Sequence, residues 1–170
     1  MKRFLFLLLT VISLSASAQD TVPVLKFGYL SYEEVLQSLP EYATIEAGMA
    51  ELQEQYAAEQ KRVEGEFNKK YEDFLEGQHD FPPTILQKRQ NELQELLDKN
   101  IAFKKESQRL LAEAKEKALA PLKQRLADAL ARVGSARDFA FILNTDANAA
   151  PWINVEMGTN VTEAVKIALK

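Results

Sequence analysis

The chain has 170 residues, a formal net charge of −4 and no cysteine. This length has room for one domain, or for a small body that carries an appendage. The lack of cysteine excludes disulfides, cysteine-based metal sites and a lipid-anchored cysteine, and the acidic balance argues against nucleic acid as the main partner.

Residues 1–18 have the layout of a secretory signal peptide. Lys2 and Arg3 precede an apolar run over residues 4–14, and Ala16 and Ala18 then form an Ala-x-Ala cleavage site. The apolar run is too short to span a bilayer stably, which disfavours the alternative of an N-terminal membrane anchor. We therefore expect an exported protein from which this segment is removed.

Residues 19–40 predict the first part of a small folded body. Apolar and aromatic residues dominate residues 22–30, a pattern that is typical of a strand. Ser31 and Glu34 then match a capping box, in which Ser31 accepts from an early helix N–H and Glu34 reaches back. The short helix that follows ends at Pro40.

Residues 41–121 predict a long helical hairpin. They are rich in strong helix formers, and their apolar residues recur at spacings of three and four, as in a coiled-coil seam. Gly77 can end a helix and two prolines then block its continuation, so the tip lies near residues 77–83 and the second helix returns along the first. A turn near residue 80 or 81 pairs residue i with residue 161 − i, in an arm about 54 Å long. The seam is interrupted by polar residues at Glu59, Gln60, Asn100 and Ser107.

Three residues near the base of the arm predict a flexible root. By this pairing, Pro40 at the start of the outgoing helix lies opposite Pro121, which removes one backbone hydrogen bond from the returning helix and kinks it. Gly48, about two turns further out, lowers the stability of the outgoing helix. Two alternatives remain open, because Pro121 could instead mark a helix boundary or bend the helix to a fixed angle.

Residues 122–170 predict the rest of the body. The end of the returning helix packs on it, residues 139–143 and 152–155 have the pattern of two strands, and Asn160 opens a capped last helix. The expected fold class is α+β, mainly α, with a small β-containing body (residues 19–40 and 122–170) and a long antiparallel coiled-coil hairpin arm. A core this small is marginal alone, so we expect oligomerisation.

The sequence gives little support to an enzyme. The single histidine, His79, lies in the predicted turn, and one histidine without clustered ligands makes neither a metal site nor a catalytic triad. Asp146 follows a predicted strand, where catalytic acids can lie, but a turn residue is the favoured interpretation. We expect no catalytic site, no metal and no cofactor.

The outer half of the arm carries more apolar surface than the seam of two helices buries. Some of its aromatic residues keep the seam spacing, and these either fill the seam or bind a partner. Others fit the seam less well and are expected to be exposed, as the apolar groups of a binding surface are. The basic residues near the tip are either part of that surface or simply solvated. The candidate binding residues are the seam-spaced Phe67, Phe74 and Phe103, the less regular Tyr71, Leu75 and Phe81, and the basic Lys69, Lys70, Lys88 and Arg89.

Residues 25–31 (Leu-Lys-Phe-Gly-Tyr-Leu-Ser) precede the hairpin, and residues 141–149 (Phe-Ile-Leu-Asn-Thr-Asp-Ala-Asn-Ala) and 161–165 (Val-Thr-Glu-Ala-Val) follow it. Their order and spacing resemble the Skp/OmpH family of periplasmic chaperones. The resemblance implies a homotrimer whose body is the trimerisation hub and whose three arms enclose a cavity. It also implies that unfolded outer-membrane proteins are held in this cavity without ATP until membrane insertion, and that there are no catalytic residues.

The charge of the arm departs from that of familiar family members, which are strongly basic. Residues 41–134 contain 15 Lys and Arg against 18 Asp and Glu. We therefore expect weak electrostatic steering of clients and at most peripheral contact with the membrane. The alternative function is structural: an envelope coiled-coil adaptor or spacer that binds a folded partner at its hairpin tip.

Overall fold

The computed structural model describes residues 25–170, so the expected signal peptide and the start of the first expected strand lie outside the described residues. The predicted class, mainly α with a small β part, is confirmed. The elements in chain order are β1 (Phe27–Leu30), α1 (Tyr32–Gln37), α2 (Pro40–Gly77), α3 (Pro83–Ala136), β2 (Phe141–Asn144), a 3-10 turn (Asp146–Asn148), β3 (Gly158–Asn160) and α4 (Thr162–Ala168).

The described strands form one parallel sheet in the order β2–β1–β3. β1 is central, and both of its neighbours come from beyond the hairpin. Leu30 is buried on the side of the helices, and a Cβ added to Gly28 would lie 3.1 Å from Val161 on that same side. Because side chains alternate along a strand, Phe27 and Tyr29 project from the opposite face. The sheet therefore has one face on the core and one face that residues 25–170 leave open.

The core lies between the sheet, α1, α4 and the last four turns of α3. From Leu119 onwards the buried residues of α3 recur at spacings of three and four, so this part of the helix turns one apolar face to the body. The residues of the core cluster are Leu30, Val35, Leu36, Leu39, Leu122, Leu126, Ala129, Leu130, Val133, Val161, Val165 and Leu169.

A polar contact joins the end of β2 to the start of α1. The Ser31 hydroxyl accepts from Glu34 N at 3.0 Å, as the capping pattern predicts, and donates to Asp146 Oδ1 at 2.5 Å. Asp146 Oδ2 accepts from Glu33 N at 2.9 Å. Burial raises the pKa of Asp146, but its hydrogen bonds with Ser31 and the backbone outweigh burial and lower that pKa below its ordinary 3.8. Asp146 is thus a structural carboxylate at a turn.

α2 and α3 form the arm, and residues 78–82 turn the chain at its tip. Glu46 Oε1 and Lys115 Nζ pair across the two helices at 2.9 Å, in agreement with the pairing of residues i and 161 − i. None of residues 40–77 is buried, because an arm of two helices has no third layer to cover it. α3 has 54 residues against 38 in α2, and its additional turns enter the core.

The prediction of a strand at residues 152–155 is wrong, since the third strand is β3. Trp152 and Val155 are 79% and 70% exposed and lie in the loop before it. An apolar run has the same pattern whether it pairs or not, and β1 pairs instead with a strand that is polar apart from its glycine.

Two smaller expectations about helices are also corrected. Pro121 does not mark a helix boundary, because α3 continues through it. A proline removes only one helical hydrogen bond, and the freed carbonyl, that of Lys117, belongs to an exposed residue that water can reach. The Glu34 carboxylate does not reach back to Ser31 but accepts from Lys166 Nζ on α4 at 2.8 Å.

The contacts of Asp146 predict a pH-dependent contribution to stability. Asp146→Ala removes a carboxylate that accepts two hydrogen bonds, so we expect the free energy of unfolding to fall by about 2 kcal/mol at neutral pH. Because the folded-state pKa is depressed, this contribution is present above the unfolded-state pKa and is lost as the pH falls through the folded-state pKa. Urea titrations at one protein concentration, at pH 7 and again below pH 3.8, measure the difference.

Asp128→Ala is the matched control, because Asp128 is exposed on α3 and accepts from Gln124 one turn away. It should lower stability by less than about 0.5 kcal/mol. Equal losses in the two variants would contradict the role given to Asp146, as would a loss at Asp146 that persists in acid.

Candidate protein-binding surfaces

One flank of the arm carries a continuous row of apolar side chains. Phe67, Leu97 and Ile101 line a shallow cavity of about 220 Å³ between the two helices. The Phe67 ring stacks on Tyr71, with centroids 6.0 Å apart and planes within 9°, and Leu75 follows Tyr71 one turn further. Tyr71, Leu75, Leu97 and Ile101 are 45%, 43%, 39% and 59% exposed. We call Phe67, Tyr71, Leu75, Leu97 and Ile101 together the arm stripe.

The other flank of the arm is charged. Lys70 lies about 100° round the helix from Tyr71 and about 140° from Leu75. It lines a cavity of about 190 Å³ near the tip together with Asp73, Arg89 and Glu92. The floor of this cavity is formed by Phe74, Phe81, Leu93 and Leu96. The exposed apolar surface of the arm is therefore concentrated in the stripe, with Ile85 as a further exposed residue near the tip, and the other flank carries mixed charge.

Phe81 is half-buried, although the sequence predicts an exposed side chain. Its ring folds over Gly77, where an added Cβ would lie 2.6 Å from Phe81 Cζ. Only the absence of a side chain at Gly77 allows this approach, and the ring closes the end of the seam. Phe103 lies in the seam too, with its ring 6.2 Å from that of Tyr56 on the facing helix.

Two of the four residues of the predicted basic cluster are engaged with a nearby carboxylate. Arg89 and Lys88 pair with Glu92 at 3.1 and 3.6 Å. Lys69 is exposed, and Lys70 lies beside Asp73 in the charged cavity. Exposed pairs of this kind contribute little to stability and leave the tip close to neutral.

The middle of the seam is polar and its polar groups are satisfied. Asn100 Nδ2 donates to the Val63 carbonyl at 3.1 Å, and the buried Ser107 hydroxyl donates to the Lys104 carbonyl at 2.9 Å. Hydrogen bonds from Arg62 lower the pKa of Glu59. The polar interruption of the seam that the sequence predicts therefore needs no hydrogen-bond partner from another molecule. The exposed apolar surface of the arm is the stripe, which lies beside the seam.

A second apolar surface lies on the open face of the sheet. Phe27 and Phe141 stack with centroids 5.5 Å apart, in register on adjacent strands. Phe27 lies over Gly158, where an added Cβ would be 2.5 Å from the ring. Phe141 itself is exposed, and the other exposed apolar residues near the strand ends in the chain are Leu25, Trp152, Val155 and Met157. Sequence analysis did not single out this surface, although Phe27 and Tyr29 occupy the alternate positions of β1 that would reveal it.

Comparison with known proteins places this arm and body in a family. A family model for OmpH-like outer membrane proteins matches residues 26–169. The chain belongs to the OmpH-like family. Among solved structures, a protein from Caulobacter crescentus CB15 named as an outer membrane chaperone (OmpH-like) matches with a TM-score of 0.60 and 18% identity, over 84% of this chain and 82% of that one. This likeness shows the fold alone, and no curated protein matches the chain.

Two absences hold for residues 25–170 of this OmpH-like protein. None of their helices combines the length and the apolar character that a bilayer crossing requires. No group of three or more His, Asp or Glu side chains in this part of the chain is placed to hold a metal ion. His79, at the tip, is exposed.

The root of the OmpH-like arm is incompletely packed. Pro40 occupies the first turn of α2, where its missing N–H has no helical partner to lose. Pro121 is exposed on α3, between the buried Leu119 and Leu122. A groove of about 590 Å³ lies beside them, bounded by α1, α2 and α3. Such a groove leaves room for movement, and flexibility at the root stays a prediction.

Two glycines of α2 provide the test of this prediction. An added Cβ on Gly48 or Gly65 would meet nothing within 4 Å, so each Gly→Ala change should stabilise α2 by about 1 kcal/mol without a clash. If the root is the joint, Gly48→Ala narrows the distribution of tip-to-tip distances between spin labels at Gln78→Cys in the assembled protein. Gly65→Ala, further out, is the matched control and should change that distribution little.

Pro121→Ala restores the backbone donor and should narrow the distribution as well. A single sharp distance in the unmodified arm would rule out a flexible root. If both glycine variants narrowed the distribution of tip-to-tip distances equally, the flexibility would lie along the whole of α2 rather than at the root.

Proposed function

We propose that the protein is an ATP-independent periplasmic holdase chaperone. It binds unfolded outer-membrane proteins in a cavity between its coiled-coil arms and prevents their aggregation. The observation that carries this proposal is the arm stripe, a row of exposed apolar side chains on an otherwise charged arm. Membership of the OmpH-like family and a fold shared with a named outer membrane chaperone support it.

The stripe suits a client that must be held and then released without nucleotide. Four of its five side chains are 39–59% exposed, so that each of these buries only a modest additional area against a client, for roughly 1 kcal/mol. Several such contacts along flexible arms give useful affinity in sum, while each one breaks easily. Contacts of this kind also accept varied sequences, because apolar burial is not directional.

The proposed assembly is a homotrimer held by the bodies. The open face of the sheet presents Phe27 and Phe141, and Trp152 is exposed in the loop before β3; aromatic residues of this kind are enriched at protein interfaces. The number three rests on the family resemblance. Three bodies joined through this face would place three arms side by side, as a cavity between arms requires.

The proposed environment and chemistry follow from the same features. Periplasmic location rests on the signal peptide pattern and on the family. The near-neutral arm supports at most peripheral membrane contact and no nucleic acid partner. We propose that the protein acts by binding rather than by catalysis, since the carboxylate of Asp146 is engaged in holding α1.

One observation favours the alternative of an envelope adaptor. The charged cavity at the tip, lined by Phe74, Phe81 and Leu93, could take a single apolar side chain of a folded partner. An adaptor would bind one partner in a fixed stoichiometry and would not protect unrelated unfolded chains. The next experiment separates the two functions.

The function is tested with the mature chain and a urea-unfolded outer-membrane β-barrel, diluted together without nucleotide. We expect suppressed light scattering, and an affinity that falls about thirtyfold in Tyr71→Ser/Leu75→Ser, because two exposed apolar contacts are lost. Phe81 is left unchanged because its ring closes the tip. Added salt should weaken binding only mildly.

Lys88→Ser is the control, since Lys88 is exposed near the tip but lies outside the stripe. It should hold clients as the unmodified protein does. Aggregation that proceeds unchanged in the presence of the protein would refute the holdase function. Unchanged affinity in the Tyr71/Leu75 variant with native helicity would show that another surface makes the contacts.

The assembly is tested by Phe141→Ser/Trp152→Ser, measured by sedimentation velocity. Loss of two interface aromatics should weaken association by a factor of about 30 or more. Ile101→Ser removes an equally exposed apolar side chain from the arm and should leave the oligomer intact. A stable folded monomer of the unmodified mature chain would contradict the homotrimer.

A further inference from the structure

The arm stripe has a regular spacing and a definite length. Along α2, Phe67, Tyr71 and Leu75 follow each other at about 6 Å, since a helix rises 1.5 Å per residue. Leu97 and Ile101 continue the row towards the root, because they share a cavity with Phe67 and Glu64. By the hairpin pairing Ile101 lies beside residue 60, so the whole stripe is about 22 Å long.

An extended polypeptide matches this spacing. Side chains on one face of an extended chain repeat at about 6.8 Å, close to the repeat of the stripe. A membrane-spanning β-strand of roughly 10 residues has about five apolar side chains on one face and polar side chains on the other. Its apolar face is about 27 Å long, so one stripe covers most of one strand.

The rim of the cavity in the stripe, beside Phe67, Leu97 and Ile101, has no net charge. Glu64 and Lys104 lie on it with opposite signs, beside the amides of Asn68 and Asn100. Electrostatic complementarity therefore favours an uncharged or mixed polar edge on the bound segment, and strongly basic or acidic segments would meet a like charge.

The stripe is too small for a folded partner or a second copy of the chain. Its exposed apolar area is on the order of 400 Å², half of the roughly 800 Å² per partner that a stable interface buries. A short extended segment needs less area, and several arms can hold several segments of one client at once.

We propose that the arm stripe selects extended segments in which apolar and polar residues alternate, about one membrane β-strand per arm. An alternating segment lays all of its apolar side chains on the stripe and turns its polar side chains to water. A segment of equal composition with its apolar residues in one block directs about half of them away from the stripe, so fewer contacts form. This inference rests on the proposed holdase function and names the class of segment that is held.

The test uses two fluorescent peptides of identical composition, each with five apolar and five polar residues between the same polar tags. One peptide alternates and the other is blocked, and anisotropy measures their affinity for the full mature chain. We expect the alternating peptide to bind about thirtyfold tighter, as two further apolar contacts allow. Leu97→Ser/Ile101→Ser should abolish this preference, and Lys70→Ser on the charged flank should keep it.

Circular dichroism confirms that each variant keeps its helices, and Ile101→Ser alone replaces the double variant if helicity falls. Equal affinity of the two peptides for the unmodified chain would overturn the inference, even if unfolded barrels are still held. A preference that survives the Leu97/Ile101 change would also overturn it. Failure to hold either peptide or an unfolded barrel would overturn the holdase function as well.

Discussion

The central position of β1 is the constraint on which the rest of the molecule depends. β1 pairs on one side with β2 and on the other with β3, and both strands follow the hairpin in the chain. The chain must therefore leave the body along α2 and return along α3 to within one strand spacing of its start. Because α3 is 16 residues longer than α2, 54 against 38, its last turns reach past the root and supply the core with Leu122, Leu126 and Leu130. One continuous helix thus belongs to both the arm and the body.

The arm differs from the body, because it has more apolar residues than two helices can bury. None of residues 40–77 is buried, and contacts such as that of Tyr56 with Phe103 fill only a narrow seam. The apolar side chains that the seam leaves uncovered are not distributed evenly over the arm. The stripe gathers on one flank, while Lys70, Asp73 and Glu92 occupy the other. This asymmetry is what a binding arm needs, since the charged flank keeps the arm in solution while the apolar flank remains available.

The hairpin and its tip could be predicted because their signals are local, as at Gly77 and the two prolines after the turn. The cap at Ser31 is local for the same reason. The strand β3 could not be predicted, because Gly158–Asn160 has no strand propensity of its own and forms through its pairing with β1. The burial of Phe81 depends on the space above Gly77, which spacing along the chain does not reveal. Leu97 and Ile101 were missed because each lies one residue beyond a seam position, where the seam pattern gives no reason to look.

The exposure of the stripe is compatible with a stable arm because the arm does not depend on it. Arg62 bridges Glu59 and Glu66, and Arg109 bridges Glu106 and Glu113, each within one turn of its own helix. Exposed pairs of this kind each contribute little, but together with strong helix formers they stabilise each helix locally. The seam then has only to hold two helices side by side. Side chains outside the seam, such as Tyr71 and Ile101, are thereby free of any structural task, and their apolar surface can be buried by a client without a rearrangement of the arm.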